Sequence, residues 1–517
     1  MKSKFLNFKT FLLLFSIFYF LNSSSILADT LGQNVIFSVD PQYEHLSRNQ
    51  ASASLRKISE KAYWYVSDEY WNGISETERS FFVSELDELA REFDARIYPI
   101  ETAFWGSEWN PGIDSDPRIT ILMTKLVSQA GGYYDTSNEY RKTQVPESNE
   151  REMIYLNTSG VLNGRAKIFL AHEFQHLINF YQKDILLNLS EDTWLNEARS
   201  EYSVKVLGYD TDFENSNLRR RLNSFLQNSS EPLAEWKNLA PDYGAIALFA
   251  YYLADHYGDK IFVDSLKSPA GGLESLNRTL RINGFAETFS DVFVGWTIAN
   301  TLNDSSIDPK YGYKSGSLKD HKVSSSQSFA LPGFGTDISV FKTVKDWQPV
   351  WYEFTAPIGS EGNLKIDFSG SAGSKFIVPY IAFNINGKKE IGLINLFGSG
   401  GTAFIKGFGS EVNKVILIPA NHSKTSGFSD NDPDSSFSLE VKVVSEIPSP
   451  SPAPSPTPSP SLTVNPSIED IFNRIKILQE EIALLRTQAQ FKPAVSSTPR
   501  PFSLVPFNRD LSVGSRG

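Results

Sequence analysis

The 517-residue chain predicts an α+β domain followed by an all-β sandwich, a Pro/Ser-rich linker and a short coiled-coil helix. Three observations predict this order. Helical and strand patterns mix in the first part, short alternating strands separated by Gly, Ser and Asn follow, and a Pro/Ser repeat then leads into a heptad pattern. We divide the chain accordingly into the ranges 1–28, 29–318, 319–446, 447–466, 467–490 and 491–517.

The first 28 residues have the features of a signal peptide. Lys2, Lys4 and Lys9 precede the apolar stretch 11–21, and small residues follow as far as Ala28, where cleavage is predicted. An uncleaved membrane anchor is the alternative, although the apolar stretch is short for a spanning helix. The sequence therefore predicts a secreted, extracellular protein, with association with the cell envelope as a second option.

Helical and strand patterns alternate through the range 29–318. Long helices are predicted at 51–70 and 76–93, and strands at 118–124 and 152–157. The strand at 152–157 is predicted either as an edge strand that pairs with an extended peptide or as an interior strand. Gly-Gly-Tyr-Tyr at 131–134 predicts a turn or a flexible rim.

A His-Glu-x-x-His motif is the most informative part of the chain. His172 and His176 are one helical turn apart, so both imidazoles leave the same helix face, and Glu173 lies beside them as a general base. Hydrolytic zinc sites usually have three protein ligands and leave one position for water. We predict that Glu197 is the third ligand, on a second helix with Asp192 as its N-cap.

Glu201 lies one helical turn after Glu197 and is predicted to accept the free ring N–H of a ligand histidine. The alternative is structural: the motif residues form the polar side of an amphipathic helix whose apolar stripe includes Leu170, Phe174 and Ile178. Because the chain has only six histidines and two have ligand spacing, the metal interpretation is favoured.

At these residues the sequence resembles the gluzincin zinc metallopeptidases, and within them the hyicolysin-like and immune-inhibitor-A-like secreted bacterial peptidases. His-Glu-Phe-Gln-His at 172–176 and Trp-Leu-Asn-Glu at 194–197 carry the resemblance. It extends over about residues 40–265, including the segments 62–66, 116–122, 148–153 and 243–245. Ala198-Arg199 departs from the pattern, because these enzymes more often have Gly followed by a small or apolar residue.

The resemblance implies a zincin-like fold with one catalytic Zn²⁺ on His172, His176 and Glu197. Peptide hydrolysis would then use a metal-activated water, with Glu173 as the base. Tyr243 is predicted to stabilise the oxyanion, with a packed core tyrosine as the alternative. His256 is a rival donor, for which a place near a helix C-terminus is the alternative.

Composition excludes several other classes of site and partner. Cysteine is absent, which excludes disulfides, thiolate metal sites and lipid-modified cysteine. A formal net charge of −11 argues against nucleic-acid binding. The expected partner is a protein or peptide substrate.

Alternating segments predict an antiparallel β-sandwich in the range 319–446. Its strands are predicted at 350–356, 362–368, 376–384, 390–397, 412–418 and 437–444. Asp430, Asp432 and Asp434 are candidates for Ca²⁺ in a loop, with a solvated turn as the alternative.

The C-terminal ranges predict a linker, a helix that could self-associate and a segment that could attach the protein to the cell wall. Residues 447–466 form an extended linker, and 467–490 give about three heptads, either a self-associating coiled coil or a lone helix. The range 491–517 is predicted as a disordered tail. Its last eleven residues resemble the start of a bacterial peptidoglycan-binding domain, which would imply cell-wall attachment.

Three functions follow from these observations. The first is a secreted zinc endopeptidase. The second is a non-catalytic envelope adhesin or scaffold with a peptidase-like fold, and the third is a zinc amidase acting on cell-wall crosslinks. The presence of Glu173 and of every candidate ligand favours a hydrolase over the scaffold.

Overall fold

The computed structural model describes residues 28–447 and the backbone of 508–512. Residues 28–445 and 508–512 belong to one compact unit. The predictions for the signal peptide, the linker and the coiled coil lie outside the described residues, as does most of the predicted tail.

A seven-stranded sheet lies in the N-terminal part. Its strands are β1 (Asn34–Ser38), β2 (Gln50–Ile58), β3 (Ala62–Ser67), β4 (Ile119–Thr124), β5 (Ala130–Asp135), β6 (Met153–Asn157) and β18 (Asn508–Ser512). Their order is β1-β2-β3-β4-β6-β5-β18. The central strands β3, β4 and β6 are parallel and buried along their whole length, as expected from their nearly continuous apolar sequences.

The helix predicted at 51–70 is wrong. These residues form the antiparallel pair β2 and β3 and the start of a short helix. Burial along β2 alternates at its start, which is the period of a strand, and β3 is the aromatic and β-branched run Ala-Tyr-Trp-Tyr-Val. Side-chain packing in the sheet therefore decided the conformation of this segment.

Two predictions near the sheet edge are resolved by the order of the strands. The strand predicted at 152–157 is interior, because β6 lies between β4 and β5. Residues 131–134 belong to β5, so neither a turn nor a flexible rim forms there. A β-carbon on Gly131 would lie 2.6 Å from the Phe169 ring, and one on Gly132 would lie 2.8 Å from the Tyr155 carbonyl oxygen. These glycines allow close packing.

Eleven α-helices are found among the described residues. They are α1 (Asp68–Gly73), α2 (Glu76–Glu92), α3 (Tyr98–Trp105), α4 (Thr158–Leu162), α5 (Ala166–Asn179), α6 (Thr193–Val206), α7 (Asn217–Gln227), α8 (Ala240–Tyr257), α9 (Lys260–Leu266), α10 (Gly272–Ile282) and α11 (Phe289–Leu302). None of the helices in the described ranges is long and apolar enough to cross a membrane.

Helices α5 to α8 bring the motif-bearing segments together. Helix α5 packs against β5 and β6 and against α6, and α8 packs against both α6 and α7. Gly244 allows the close crossing of α7 and α8, because a β-carbon there would lie 2.8 Å from the Phe225 amide nitrogen. The motif helix is therefore enclosed by a sheet on one side and by helices on the other.

Two sheets share a second core in the range 319–446, consistent with the predicted β-sandwich. One contains β8 (Asp337–Val344), β10 (Asn363–Gly370), β14 (Gly400–Ile405) and β17 (Ser435–Val444). The other contains β7 (Gln327–Ala330), β9 (Tyr352–Thr355), β12 (Pro379–Asn384), β13 (Lys389–Leu393) and β15 (Val412–Leu417), and a separate pair is β11 (Phe376–Ile377) with β16 (Ala420–Asn421). Both main sheets contribute to one apolar core. The β7–β9 pair is parallel, unlike the all-antiparallel prediction.

The sandwich packs directly on the helical part. Ile298 and Leu302 of α11 share a buried cluster with Trp351, Ile381 and Ile416. A boundary between independent domains at residue 318 stays a prediction.

Lysines neutralise the acidic loop that the sequence offered for calcium. Asp432 is buried, accepts a hydrogen bond from the Ser429 amide and pairs with Lys424. Asp434 is 3.2 Å from Lys345. The structure therefore gives no support for Ca²⁺ among these aspartates.

Candidate metal centre

Helices α5 and α6 bring three candidate ligands into one buried group. His172, His176 and Glu197 are each no more than 1% exposed, and one ligand atom from each lies within 4.8 Å of the others. The His172 Nε2 atom is 3.1 Å from Glu197 Oε2, and His176 Nε2 is 3.5 Å from Glu197 Oε1. Both Nε2 atoms therefore face the same carboxylate.

This donor set fits zinc. With ligand distances of about 2.0–2.2 Å, two ligand atoms of a tetrahedral ion lie about 3.3–3.6 Å apart. The nitrogen-to-oxygen separations of 3.1 and 3.5 Å within the group are close to this ligand-to-ligand distance. Two imidazoles and one carboxylate are also a usual set for catalytic zinc, which leaves a fourth position for water.

The other ring nitrogen of His172 is held by Glu201. Its Nδ1 atom lies 3.3 Å from Glu201 Oε1, and the Glu201 carboxylate accepts hydrogen bonds from Arg221 and Asn217. The Arg221 bonds are 2.6 and 2.8 Å long and bidentate. Such partners fix the orientation and tautomer of a ligand imidazole.

The other ring nitrogen of His176 is held by α6. Its Nδ1 atom is 3.1 Å from Asn196 Oδ1 and 3.1 Å from Ser200 Oγ, and Ser200 donates to Gln175. An Nδ1–H bonded to Asn196 leaves the Nε2 lone pair directed at the centre. Sequence reasoning missed Asn196 and Ser200, although they lie one helical turn apart on the helix that carries Glu197.

Negative charge exceeds positive charge around the ligands. Burial opposes ionisation of Glu201, but Arg221 and His172 outweigh it and lower the carboxyl pKa to about 2. The pKa of the Glu197 carboxyl is also lowered, against its burial, by the two histidines. Burial lowers the pKa of the His172 imidazole, but the Glu197 and Glu201 carboxylates outweigh it and raise this pKa to about 10. Such a buried acidic group favours a bound cation.

Glu173 is fully buried and lies against β5 of the sheet. A β-carbon on Gly132 of β5 would lie 3.2 Å from its Cγ atom, so the backbone of β5 passes directly over this side chain. The candidate base and Gly132 of β5 are therefore adjacent.

Tyr243 lies beside the ligands, whereas His256 does not. The Tyr243 ring is 6.3 Å from the His172 ring, its hydroxyl donates to Asn238, and the Arg221 guanidinium lies 4.4 Å from its centroid. His256 is near the far end of α8, where its Nε2 atom contacts the Gly312 carbonyl oxygen.

The unusual Arg199 has a buried structural partner. Its guanidinium is 2.7 Å from Glu191 and also donates to Asn179 and to Ser265 of α9. The departure from the family pattern therefore links α6 to the end of α5 and to α9 and leaves the ligands unaffected.

A curated relative is the neutral metalloprotease ShpI of Staphylococcus hyicus, which is 29% identical to this chain over 220 residues. The match covers 37% of this chain and 47% of the relative, so the chain spans about half the length of that protein. This similarity supports a relationship to a metallopeptidase family. No protein-family model matches the chain.

Two solved structures are similar to smaller parts of the chain. The pre-peptidase C-terminal domain of a Bacillus anthracis collagenase is 15% identical, with a TM-score of 0.16, over 22% of this chain and 94% of that domain. The lysozyme inhibitor PliG of Aeromonas hydrophila is 9% identical, with a TM-score of 0.15, over 23% of this chain and 97% of the inhibitor.

Proposed function

We propose that this protein is a secreted zinc endopeptidase of the gluzincin type, similar to the hyicolysin-like peptidases. The observation that carries the proposal is the convergence of two Nε2 atoms on the Glu197 carboxylate, with both Nδ1 atoms held by other side chains. The similarity to ShpI supports the same reaction class.

Five side chains would have separate roles around the ion. His172, His176 and Glu197 would hold Zn²⁺, which when bound polarises a carbonyl and lowers the pKa of water. Glu173 would accept the proton of the attacking water and deliver it to the leaving amine. Glu201 would hold the His172 ring in the orientation needed for ligation.

Stabilisation of the oxyanion is proposed for Tyr243. Its ring lies over the Arg221 guanidinium and near His172, which places positive charge beside it. The phenol now donates to Asn238 and would have to exchange this bond for one to the substrate. A structural role for Tyr243 is the alternative.

The side of β5 opposite β6 could hold an extended substrate by antiparallel strand pairing. In the structure this edge pairs antiparallel with Asn508–Ser512 of the same chain. We propose that a substrate peptide uses the same edge, next to Glu173. Deletion of residues 506–517 should then increase the rate of casein cleavage, because the segment that occupies the edge is removed, and an unchanged rate would argue against this edge.

The test of the function uses the full chain. Purified protein should contain zinc in roughly equal molar amount. It should cleave casein, lose activity with a chelator and regain it with added Zn²⁺. Zinc-loaded protein that leaves casein intact would contradict the endopeptidase. Cleavage of peptidoglycan in a parallel assay would support the amidase, and inactivity on both would support the adhesin or scaffold.

Secretion, cell-wall attachment and self-association remain separate proposals. They rest on the sequence of 1–28, 467–490 and 491–517, and fractionation of the producing cells would test the first two. Sedimentation of the purified protein would test self-association through 467–490.

A further inference from the structure

One arginine next to the metal-binding helix has no anionic partner in the described part of the chain. Arg165 is the residue immediately before α5. Its Nη2 atom is buried and has no hydrogen-bond partner among the described residues, and no carboxylate among them pairs with the guanidinium. Arginine stays charged in proteins, and burying part of a charge without a partner costs free energy. An anion bound from outside would offset this cost.

The buried arginines elsewhere in the described residues are neutralised inside the fold. Arg199 lies 2.7 Å from the Glu191 carboxylate, and Arg221 lies 2.6 Å from that of Glu201. At Arg165, by contrast, burial and the positive charge of Arg221 both lower the guanidinium pKa, and no carboxylate of the described residues acts against them. The fold therefore gives this cation a partly buried place but no counter-charge.

Arg165 lies on the side of α5 that carries the metal ligands. Residues seven and eleven positions apart on a helix project in nearly the same direction, so Arg165 shares the side of His172 and His176. Its guanidinium carbon is 5.7 Å from the centre of the Phe169 ring. That ring fills the space beside Gly131 of β5, where a β-carbon would lie 2.6 Å from it. Arg165 is therefore near the start of β5, one helical turn before Phe169.

The direction of a bound substrate follows from the strand pairing. The strand β18 runs antiparallel to β5, and its last residue pairs with Ala130. Glu173 lies against Gly132, further along β5. A substrate bound in the same direction would lead the residues after its cleaved bond towards Ala130, the end of β5 near Arg165. The helix rise places Phe169 about 6 Å along the axis from Glu173, which equals about two residues of extended peptide.

We infer that Arg165 binds a carboxylate of the substrate on the C-terminal side of the cleaved bond, within the first two residues after that bond. The inference rests on the proposed endopeptidase function and adds a preference for acidic peptides to it. A guanidinium presents paired N–H donors that match the two oxygens of a carboxylate. The carboxylate would come from an Asp or Glu side chain or from a free C-terminus.

The test compares peptides that differ in one carboxylate. Mass spectrometry of a casein digest identifies a cleaved bond, and peptides around it are made with Glu or Gln at the first or the second position after the bond. A further pair ends at the second position with a free or an amidated C-terminus. Wild-type kcat/KM should be about ten-fold higher for the carboxylate member of at least one pair, the low end for a charged hydrogen bond because Arg165 is partly exposed. The pair that shows the preference identifies the source of the carboxylate.

Two substitutions at Arg165 and one control follow this ratio. Arg165→Gln should bring the ratio close to one, and Arg165→Glu should make the neutral peptide the better substrate. The matched control is Lys167→Gln, which removes an exposed positive charge two residues away, whose Nζ atom lies 5.2 Å from the centre of the Tyr209 ring. This control should keep the wild-type ratio. Zinc content should be the same in all four proteins.

Peptide binding gives a readout that does not need catalysis. Zinc-loaded Glu173→Gln should bind the carboxylate peptide about ten-fold more tightly than the neutral one in fluorescence anisotropy, and the double variant with Arg165→Gln should bind both equally. Wild-type protein that cleaves casein but shows equal rates within every pair, or an unchanged ratio in Arg165→Gln, would overturn this inference and leave the peptidase standing. Wild-type protein that cleaves no peptide would overturn the proposed function and this inference with it.

Discussion

Two groups of His and Glu side chains in the described part of the chain have the spacing of metal ligands, and they differ in what surrounds them. The first group consists of His172, His176 and Glu197. The second group consists of Glu44, His45 and Glu69. The first is dry, whereas in the second His45 and Glu69 have side chains 22% and 38% exposed.

The partners of the nitrogen atoms make the difference. In the second group His45 uses both ring nitrogens on carboxylates, Nδ1 at 2.8 Å from Glu44 and Nε2 at 3.1 Å from Glu69. Arg48 contacts both carboxylates and supplies positive charge. In the first group each Nδ1 is held from outside and each Nε2 is directed inward. Proximity alone therefore does not distinguish a metal site from an ion-pair cluster.

The largest effect is expected from a ligand substitution. Glu197→Ala should remove zinc and reduce proteolysis to background, because two imidazoles alone hold the ion weakly. The matched substitution Glu69→Ala in the second group should leave zinc and activity unchanged. Metal analysis and casein hydrolysis measure both. Loss of zinc from Glu69→Ala would reverse the assignment of the two groups.

A smaller loss is expected when the base is removed and the ligands remain. Glu173→Gln should retain zinc and lose about 10²–10⁴-fold in kcat, the usual contribution of general acid–base catalysis. Its circular dichroism spectrum should match that of the wild type. Equal activity in the two proteins would contradict the role of Glu173.

A substitution at Glu201 tests whether the residues that hold the Nδ1 atoms are what distinguishes the first group from the second. Glu201→Gln keeps the shape of the side chain but removes the charge that holds His172 Nδ1 and pairs with Arg221. Zinc affinity should fall about 10–100-fold, the usual effect of losing such a partner. Competition with a chromogenic chelator measures it. Unchanged affinity would mean that Glu201 only packs between α6 and α7.

The residues that could be predicted are those whose geometry is local. His172, His176 and Glu173 follow from the period of one helix, and the position of Glu201 follows from that of Glu197. Arg221 could not be found this way, because α7 reaches the centre only through its packing on α8. The prediction of a helix at 51–70 was wrong because the aromatic residues of this segment pack in a sheet. The prediction of a turn or rim at Gly131 was wrong because the Phe169 ring, which leaves no room for a side chain there, is distant in sequence.

The smallest expected effect concerns the stability of the second group. Burial opposes ionisation of Glu44, but Arg48 and two backbone amides outweigh it and lower the carboxyl pKa from 4.5 to about 2. This stabilisation is complete above pH 4.5 and is lost as pH falls towards 2. Arg48→Met should therefore lower the free energy of unfolding at pH 7. A hydrogen bond to a charged group contributes about 1.5–3 kcal/mol when buried, and because the Arg48 side chain is partly exposed we expect about 1 kcal/mol.

Urea unfolding at pH 7 and pH 3 measures the effect of Arg48→Met, and the difference from wild type should shrink at pH 3. Lys442→Met, which breaks the exposed pair with Glu440, is the control and should cause no measurable change. Zinc content should stay constant in both variants, because the charge of Arg48 stabilises the fold of its own group. A variant that gains bound zinc on losing Arg48 would show that this cation is what keeps a metal out of the second group.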